Sequence, residues 1–301
     1  MNINMDIDID MNEIKKNFEE KGYVVIPNII TNEEIIEYIN EFNKWMDSIP
    51  NSDYLHSIIH YHGIFKYFQV GHQRFAWLMR TNEKIINVFK GLWDTDELVV
   101  SFDGCCYYPS NSNNLSSYWI HSDQSPLKKN LCCIQSFISL TSNKEKTFLV
   151  YEGSHKLHEH HTNTYNIQSN SDWYPINQDY VKNIEHTKKI LHVEAGSLVL
   201  WDSRTFHQNT CANPNSKEER LVQYLCYLPK NNKNNTTEMT EFRMACFNNL
   251  RTTNHYPYPI SCVPLQPNAY NYYNDENINI DYSKIKKPYL NDLLDKIYKL
   301  L

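Results

Sequence analysis

Two histidines and one aspartate, His121, Asp123 and His207, are the residues of this 301-residue sequence whose types and spacing could hold a metal ion. In an extended chain, residues two apart project to the same face. The run Trp119-Ile120-His121-Ser122-Asp123-Gln124 therefore presents an imidazole and a carboxylate side by side. A third ligand must come from a distant strand, and the segment from Gly196 to His207 offers a turn, an apolar strand and then a histidine at its end. Two imidazoles and one carboxylate on one face of an ion leave three coordination positions open, the arrangement found in non-haem iron(II) oxygenases. Those open positions are what a co-substrate and dioxygen would need. Downstream, Arg220 opens the strand Arg220 to Pro229, and a fixed guanidinium fork there can take a carboxylate bidentately, as the far end of 2-oxoglutarate would require. Arg204 is the rival anion clamp.

Further residues follow from strand geometry. Asn209 lies two beyond His207 and shares its face if the strand continues. Gln135, Trp119 and Gln124 are expected to line the same pocket, with Tyr107, Tyr108 and His72 on its substrate side. The tract His155, His158, His160 and His161 falls on an expected surface helix, and its residues read as solvated or structural rather than as a second metal site.

These side chains need elements to position them. A short helix should end at Gly22, and Tyr23 to Ile30 reads as a strand. Thr31-Asn32-Glu33-Glu34 is a capping-box pattern, and Ile35, Ile36, Ile39, Phe42 and Trp45 recur at helical spacing, so a helix should run to about Ser48. An irregular His- and Tyr-rich stretch (His56, His60, Tyr61, His62) follows, then a helix from Asn82 to Trp93. From Glu97 the texture changes to short β-branched and aromatic runs, Leu98 to Phe102, Leu131 to Leu140, Phe148 to Tyr151, Ile190 to Val193, Ser197 to Trp201 and Leu221 to Leu228, which is the signature of a sandwich or barrel. Residues 152–189 are too polar for a core and should form an excursion over the sheet. Glu238 to Asn249 and Leu290 to Leu301 read as helices. The organisation expected is one domain, with a helical support region over 1–95, a β core over 96–229 and a C-terminal extension over 230–301.

Composition narrows the class. With 41% hydrophobic residues the chain can bury a substantial core. A net charge of −6 without any long Lys/Arg run argues against nucleic acid or an anionic membrane as the main partner. No apolar block marks a signal peptide or span, so an intracellular, soluble, cytoplasmic location is expected. The eight cysteines include the adjacent pairs Cys105-Cys106 and Cys132-Cys133. Neighbours on a strand point to opposite faces, which suits reduced, half-buried thiols better than zinc ligation or disulfides.

Taken in order, Gly22-Tyr23-Val24-Val25-Ile26-Pro27-Asn28 with its Thr31 helix start, His121-x-Asp123, Gly153-Ser154-His155, Gly196 to His207 and Arg220 resemble the phytanoyl-CoA dioxygenase family of iron(II)/2-oxoglutarate oxygenases, over about residues 15–229. The resemblance implies a double-stranded β-helix core, the cupin-like jelly roll, mainly β with flanking helices and with the N-terminal helices packed on one sheet. It also implies Fe(II), 2-oxoglutarate and O2 as cofactor and co-substrates, with Arg220 on the distal carboxylate, and it favours hydroxylation over halogenation because Asp123 keeps the carboxylate ligand. Ser101-Phe102-Asp103-Gly104, His121 to Pro126, Ile134-Gln135 and Thr252-Thr253-Asn254-His255-Tyr256-Pro257 look like an uncharacterised branch of that family. Two departures stand out: Glu152 replaces the usual Pro before Gly-Ser-His, and Lys144-Glu145-Lys146 replaces the usual Gly-rich turn. The substrate, a small molecule or a side chain, is not named by any motif. The competing readings are a catalytically inactive jelly-roll binding or scaffold protein that keeps the triad, and a cupin metalloenzyme that does not use 2-oxoglutarate.

Overall fold

The computed structural model describes residues 10–49, 62–110, 118–213, 215–267 and 279–301. The leader over 1–9 and the His- and Tyr-rich stretch up to Tyr61 lie outside them. Helix α1 (Met11–Lys21) is capped by the Asp10 carboxylate at its start and stops at Gly22, whose φ of 80° is the left-handed conformation that ends helices. Strand β1 (Tyr23–Ile26) begins at once. In α2 (Asn32–Met46) the capping box forms as the sequence predicts: Thr31 Oγ1 accepts the Glu34 amide, and the Glu34 carboxylate accepts the Thr31 amide. The short β2 (Ile64–Phe65), α3 (Arg74–Arg80) and α4 (Glu83–Trp93) complete the N-terminal region.

The strands β3 (Leu98–Val100), β4 (Cys105–Tyr108), β5 (His121–Ser122), β6 (Ile134–Ser139), β7 (Lys146–Tyr151), β8 (Tyr174–Pro175), β9 (Lys188–Ile190), β10 (Leu198–Asp202), β11 (His207–Cys211) and β12 (Arg220–Pro229) build two antiparallel sheets. The larger runs β1-β10-β6-β12-β4-β2, with β3 also on β12; the smaller runs β8-β5-β11-β7-β9. Two strands of the larger sheet thus come from the N-terminal region, so that region is more than a helical support.

The period of two decides what each face buries. Along β6, Ile134 and Ile138 join the large core under the helices, while Phe137 joins the layer between the sheets. Along β10, Leu198 and Leu200 face the helices, and Val199 and Trp201 face the smaller sheet. Cys105 and Cys106 divide in the same way, one thiol to each side. Both faces of this sheet therefore carry buried apolar side chains. That explains why its strands read as continuous apolar runs rather than as alternation.

Three expectations need correction. His207 does not end the strand that starts at Leu198 but begins the next one, because Asp202 to Phe206 turns the chain. In that turn the Asp202 carbonyl accepts the Thr205 amide at 2.8 Å, and its carboxylate accepts the Arg204 amide at 2.8 Å. The strand placed at Ile190 to Val193 is Lys188–Ile190. The excursion over 152–189 carries α5 (His158–Thr164) and α6 (Gln178–Asn183) and buries its own cluster, including Ile176, Tyr180 and Val181 against Phe206 and Leu149. Within it His155, His158 and His161 are buried, His158 bonds the Gln124 carbonyl, and His160 is exposed, in keeping with the solvated or structural reading of the tract. Helix α7 (Thr237–Asn248) and the final α8 (Leu294–Lys299) follow. No helix among the described residues is long and apolar enough to cross a membrane.

The unusual turn Lys144-Glu145-Lys146 is held from outside. The Glu218 carboxylate accepts the backbone amides of Lys144 at 3.1 Å, Glu145 at 2.9 Å and Lys146 at 3.0 Å. Burial pushes this carboxyl up, but those amides outweigh it and hold it below its usual range. A depressed folded-state value contributes stability fully present above the unfolded value of about 4.3 and lost as pH falls through the folded one. Glu218→Gln is therefore expected to destabilise the protein by about 1 kcal/mol at pH 7, a figure reduced for the group's partial exposure. Urea unfolding at pH 7 and again near pH 3.5 should show the difference shrinking in acid; an equal difference at both would contradict this role.

Candidate metal centre

Strand β11 lies between β5 and β7, and its register sets His207 directly opposite His121 on one side and Val150 on the other. Asp123 follows two residues after His121, its amide bonded to the Ser203 carbonyl at 2.9 Å. The three side chains converge so that one ligand atom of each lies within 4.8 Å of the others. His121 Nε2 is 3.6 Å from Asp123 Oδ1, and His207 Nε2 is 3.1 Å from Asp123 Oδ2.

Both imidazoles are aimed by backbone carbonyls. Trp119 O lies 2.9 Å from His121 Nδ1, and Thr205 O lies 2.8 Å from His207 Nδ1. A carbonyl can only accept, so each Nδ1 carries the proton and each Nε2 presents a lone pair to the cluster. Burial, then the neighbouring His207, pushes His121 down to about 3, which keeps it neutral as a ligand must be. Burial alone would raise the Asp123 carboxyl, but His121 and His207 outweigh it and hold it well below the usual carboxylate range. Gln135 Nε2 donates to Asp123 Oδ2 at 3.1 Å, and the Tyr256 hydroxyl donates to the Asp123 carbonyl at 3.1 Å. The turn before His207 is tied to the end of α1, where the Gly22 carbonyl accepts the Asp202 amide and the Thr205 hydroxyl. Two imidazoles, one carboxylate and fixed outer partners form a donor set suited to a divalent first-row metal.

The triad opens into a cavity of about 660 Å³. Trp119, Gln135 and Asn209, expected at the pocket, all line it. Arg220 lies one layer behind: it is fully buried, points from β12 to the same side as Val222 and Tyr224, and donates from Nη1 to Asn209 Oδ1 at 3.0 Å, while its Nη2 has no partner. The indole nitrogen of Trp201, on the cavity wall, is likewise buried and unpartnered. Two orphan N–H donors beside a metal triad are what a bound carboxylate would satisfy.

Other expected residues sit elsewhere. Arg204 is held by Asp202 at 2.6 Å and is absent from the cavity wall. Gln124 is fully buried and braces the following loop, donating to the carbonyls of Lys128 and Asn130 and accepting from Ser203 Oγ and the Cys132 amide. Tyr107 packs on Phe42 beneath the helices. Tyr108 fills the layer between the sheets, and His72 lies buried against Phe102 with Nε2 near the Arg251 carbonyl.

Sequence reasoning missed several lining residues: Lys66, Trp173, Tyr224, Trp201, Asn254 and His255. Tyr224 could have been found, since it lies four beyond Arg220 on one face of a strand. The Lys66 side chain is open to the cavity yet ringed by protein; that desolvation lowers its ammonium's pKa, partly offset by Asp123. No local pattern marks it. His255 belongs to the tail motif Thr252 to Pro257, which the sequence offered as a likeness without a role.

Comparisons with known proteins agree with this geometry. The model of the family described as phytanoyl-CoA dioxygenase (PhyH) matches residues 18–218. "Ava biosynthesis cluster protein O" of Aspergillus versicolor is 26% identical over 266 residues, covering 80% of this chain and 84% of that protein. Among solved structures, the epimerase SnoN, in complex with Fe3+, alpha ketoglutarate and nogalamycin RO, aligns with a TM-score of 0.53 at 14% identity, over 73% of this chain and 83% of its own. EctD from S. alaskensis, with 2-oxoglutarate and 5-hydroxyectoine, aligns with a TM-score of 0.50 at 15% identity, over 72% of this chain and 75% of its own. At such identities these two likenesses concern the fold, a jelly roll with flanking helices. With its family model spanning more than half the sequence and the His-x-Asp…His cluster at the heart of that fold, the chain belongs to the phytanoyl-CoA dioxygenase (PhyH) family.

Proposed function

We propose that this chain is an iron(II)- and 2-oxoglutarate-dependent oxygenase that hydroxylates a small molecule. One juxtaposition carries the reading: His121, Asp123 and His207 share a cavity with the unpartnered Trp201 Nε1, and the unpartnered Nη2 of Arg220 lies just behind its Asn209 wall. A metal alone would leave both donors unexplained. The chemistry that bound iron(II) and 2-oxoglutarate supply is oxidation of a C–H bond by dioxygen, coupled to decarboxylation of the co-substrate to succinate and carbon dioxide.

The protein's own part is positional. Asp123 contributes the one negative charge among the ligands, and Gln135 fixes which way its carboxylate faces. The Trp119 and Thr205 carbonyls hold the two imidazole planes, and an ion held by only these three residues would keep positions for a co-substrate and dioxygen. Arg220 keeps its charge at any working pH and is pinned by Asn209 and stacked on Phe137 with 5.3 Å from the guanidinium to the ring centroid, which leaves Nη2 as the free donor for the far carboxylate. Lys66, on the same cavity wall, supplies a second amine toward a dicarboxylate, which would favour its charged form against the desolvation that lowers its pKa. Trp119, stacked between His62 at 3.8 Å and His121 at 4.7 Å, closes one side of the cavity against water. The SnoN and EctD complexes, which hold alpha ketoglutarate or 2-oxoglutarate on a similar fold, support the same reading.

Manganese(II) titration should give one ion per chain, with affinity reduced at least about 100-fold in His121→Ala and in His207→Ala; unchanged binding in either would remove that residue from the centre. Iron-loaded protein should convert 2-oxoglutarate to succinate. In Arg220→Ala the KM for 2-oxoglutarate should rise about 30-fold or more, the loss of a charge-assisted pair of about 2–3 kcal/mol. An unchanged KM would favour a metalloenzyme that does not use this co-substrate. Once a substrate is in hand, product mass separates hydroxylation, which adds one oxygen, from an epimerisation such as SnoN's name states, which adds none.

A further inference from the structure

The tail motif Thr252-Thr253-Asn254-His255-Tyr256-Pro257 lies beyond the residues matched by the family model and is not used by the metal or by the carboxylate donors. It forms the cavity wall facing the metal ligands. Thr253, Asn254 and His255 line the cavity together with Ser261, Cys262 and Val263 of the returning segment. The two arms pair: Thr253 bridges Cys262, the Asn254 amide donates to the Ser261 carbonyl at 2.8 Å, and the Val263 amide donates to the Thr252 carbonyl at 2.9 Å. The arm is also fastened to the core. The Thr253 amide donates to the Phe102 carbonyl at 3.0 Å, the Phe102 amide donates to Thr253 Oγ1 at 3.1 Å, and the Tyr256 hydroxyl reaches the backbone of Asp123. The segment is thus a built wall of the site rather than a loose cover.

Within this wall, His255 Nε2 is buried and finds no partner. His255 lines the cavity, so a small side-chain rotation would offer this unsatisfied nitrogen to a polar group bound there. At the mouth Trp173 stands 48% exposed, one side tilted over His121 at 5.5 Å between ring centroids. Lys66, Asp103 and Asp172 line the same space, with Asp103 paired to Arg80 at 3.6 Å and Asp172 to Lys128 at 2.7 Å. Among the described lining residues Lys66 is the one Lys or Arg, which leaves little to hold an anionic substrate beside the co-substrate, whereas an indole at the mouth and a polar nitrogen within suit a ring carrying one hydrogen-bonding group.

We propose that Thr252 to Val263 and Trp173 form the substrate-recognition wall, and that the substrate is an uncharged, ring-bearing small molecule stacked at Trp173 with a polar substituent bonded to His255 Nε2. The inference rests on the oxygenase reading for its catalytic meaning, but its test is a binding measurement. Protein loaded with manganese(II) and 2-oxoglutarate is titrated with 2-naphthol, uncharged at neutral pH, and with octanoate as the anionic aliphatic control, using ligand-observed NMR. The wild type should bind 2-naphthol and prefer it to octanoate. His255→Ala should weaken 2-naphthol by roughly 5- to 10-fold, the loss of one hydrogen bond, with partial recovery in His255→Asn. Trp173→Ala, at an exposed position that folding tolerates, should weaken it by about 3- to 10-fold. Absence of 2-naphthol binding, equal binding by all variants, or a preference for octanoate would overturn the proposal. Calorimetric titration of the same manganese protein with 2-oxoglutarate keeps the two readings apart: its failure would count against the oxygenase, whereas its success beside any of those three results would count against this wall alone.

Discussion

The pairing of β11 between β5 and β7 is the constraint on which the rest of the site depends. One backbone register sets His207 across from His121, and the pleat then brings Asp123 to the same side. A slip of one residue would turn His207 to the opposite face and replace it with Phe206 or Gln208. The register is held at both ends. Phe206 donates its amide to Ser154 Oγ, near the start of the excursion over 152–189, and Asn209 carries the bond from Arg220. The His121, Asp123 and His207 cluster, the Arg220 guanidinium and the sandwich core thus share the inner faces of a few strands.

Around this register the remaining chain acts as a set of braces. The end of α1 bonds the turn that aims His207, the tail bonds the backbone of Asp123, and Gln124 holds the loop that links β5 to β6. Each brace arrives from a different part of the sequence, so the geometry of the centre depends on the completed fold rather than on any local motif. It also explains why the two departures in the smaller sheet are tolerated. Glu152 accepts the Tyr23 hydroxyl at 3.1 Å, and the Lys144 to Lys146 turn is gathered by Glu218, both at the periphery.

Much of this was legible in the sequence where a local rule sufficed. The capping box at Thr31, the stop at Gly22, the His-x-Asp pair and the face shared by His207 and Asn209 follow from helix and strand periodicity alone. What could not be read depended on long-range pairing. Arg204 and Arg220 are equally plausible anion clamps as letters, and only the fold shows that Asp202 occupies the first while Arg220 is buried with a free nitrogen. Gln124 and His72 are polar residues in promising places that the fold spends on bracing and core packing. Lys66, Trp173 and His255 come to the cavity from an edge strand, an excursion and a tail, and no spacing connects them.

The most direct test of the central claim is anaerobic titration of the iron(II)-loaded protein with 2-oxoglutarate, followed by visible absorption in the wild type and in Arg220→Ala. The account predicts that the weak charge-transfer band of the chelated co-substrate develops in the wild type and requires much more 2-oxoglutarate in the variant. Iron that binds at His121, Asp123 and His207 without any such band would contradict it.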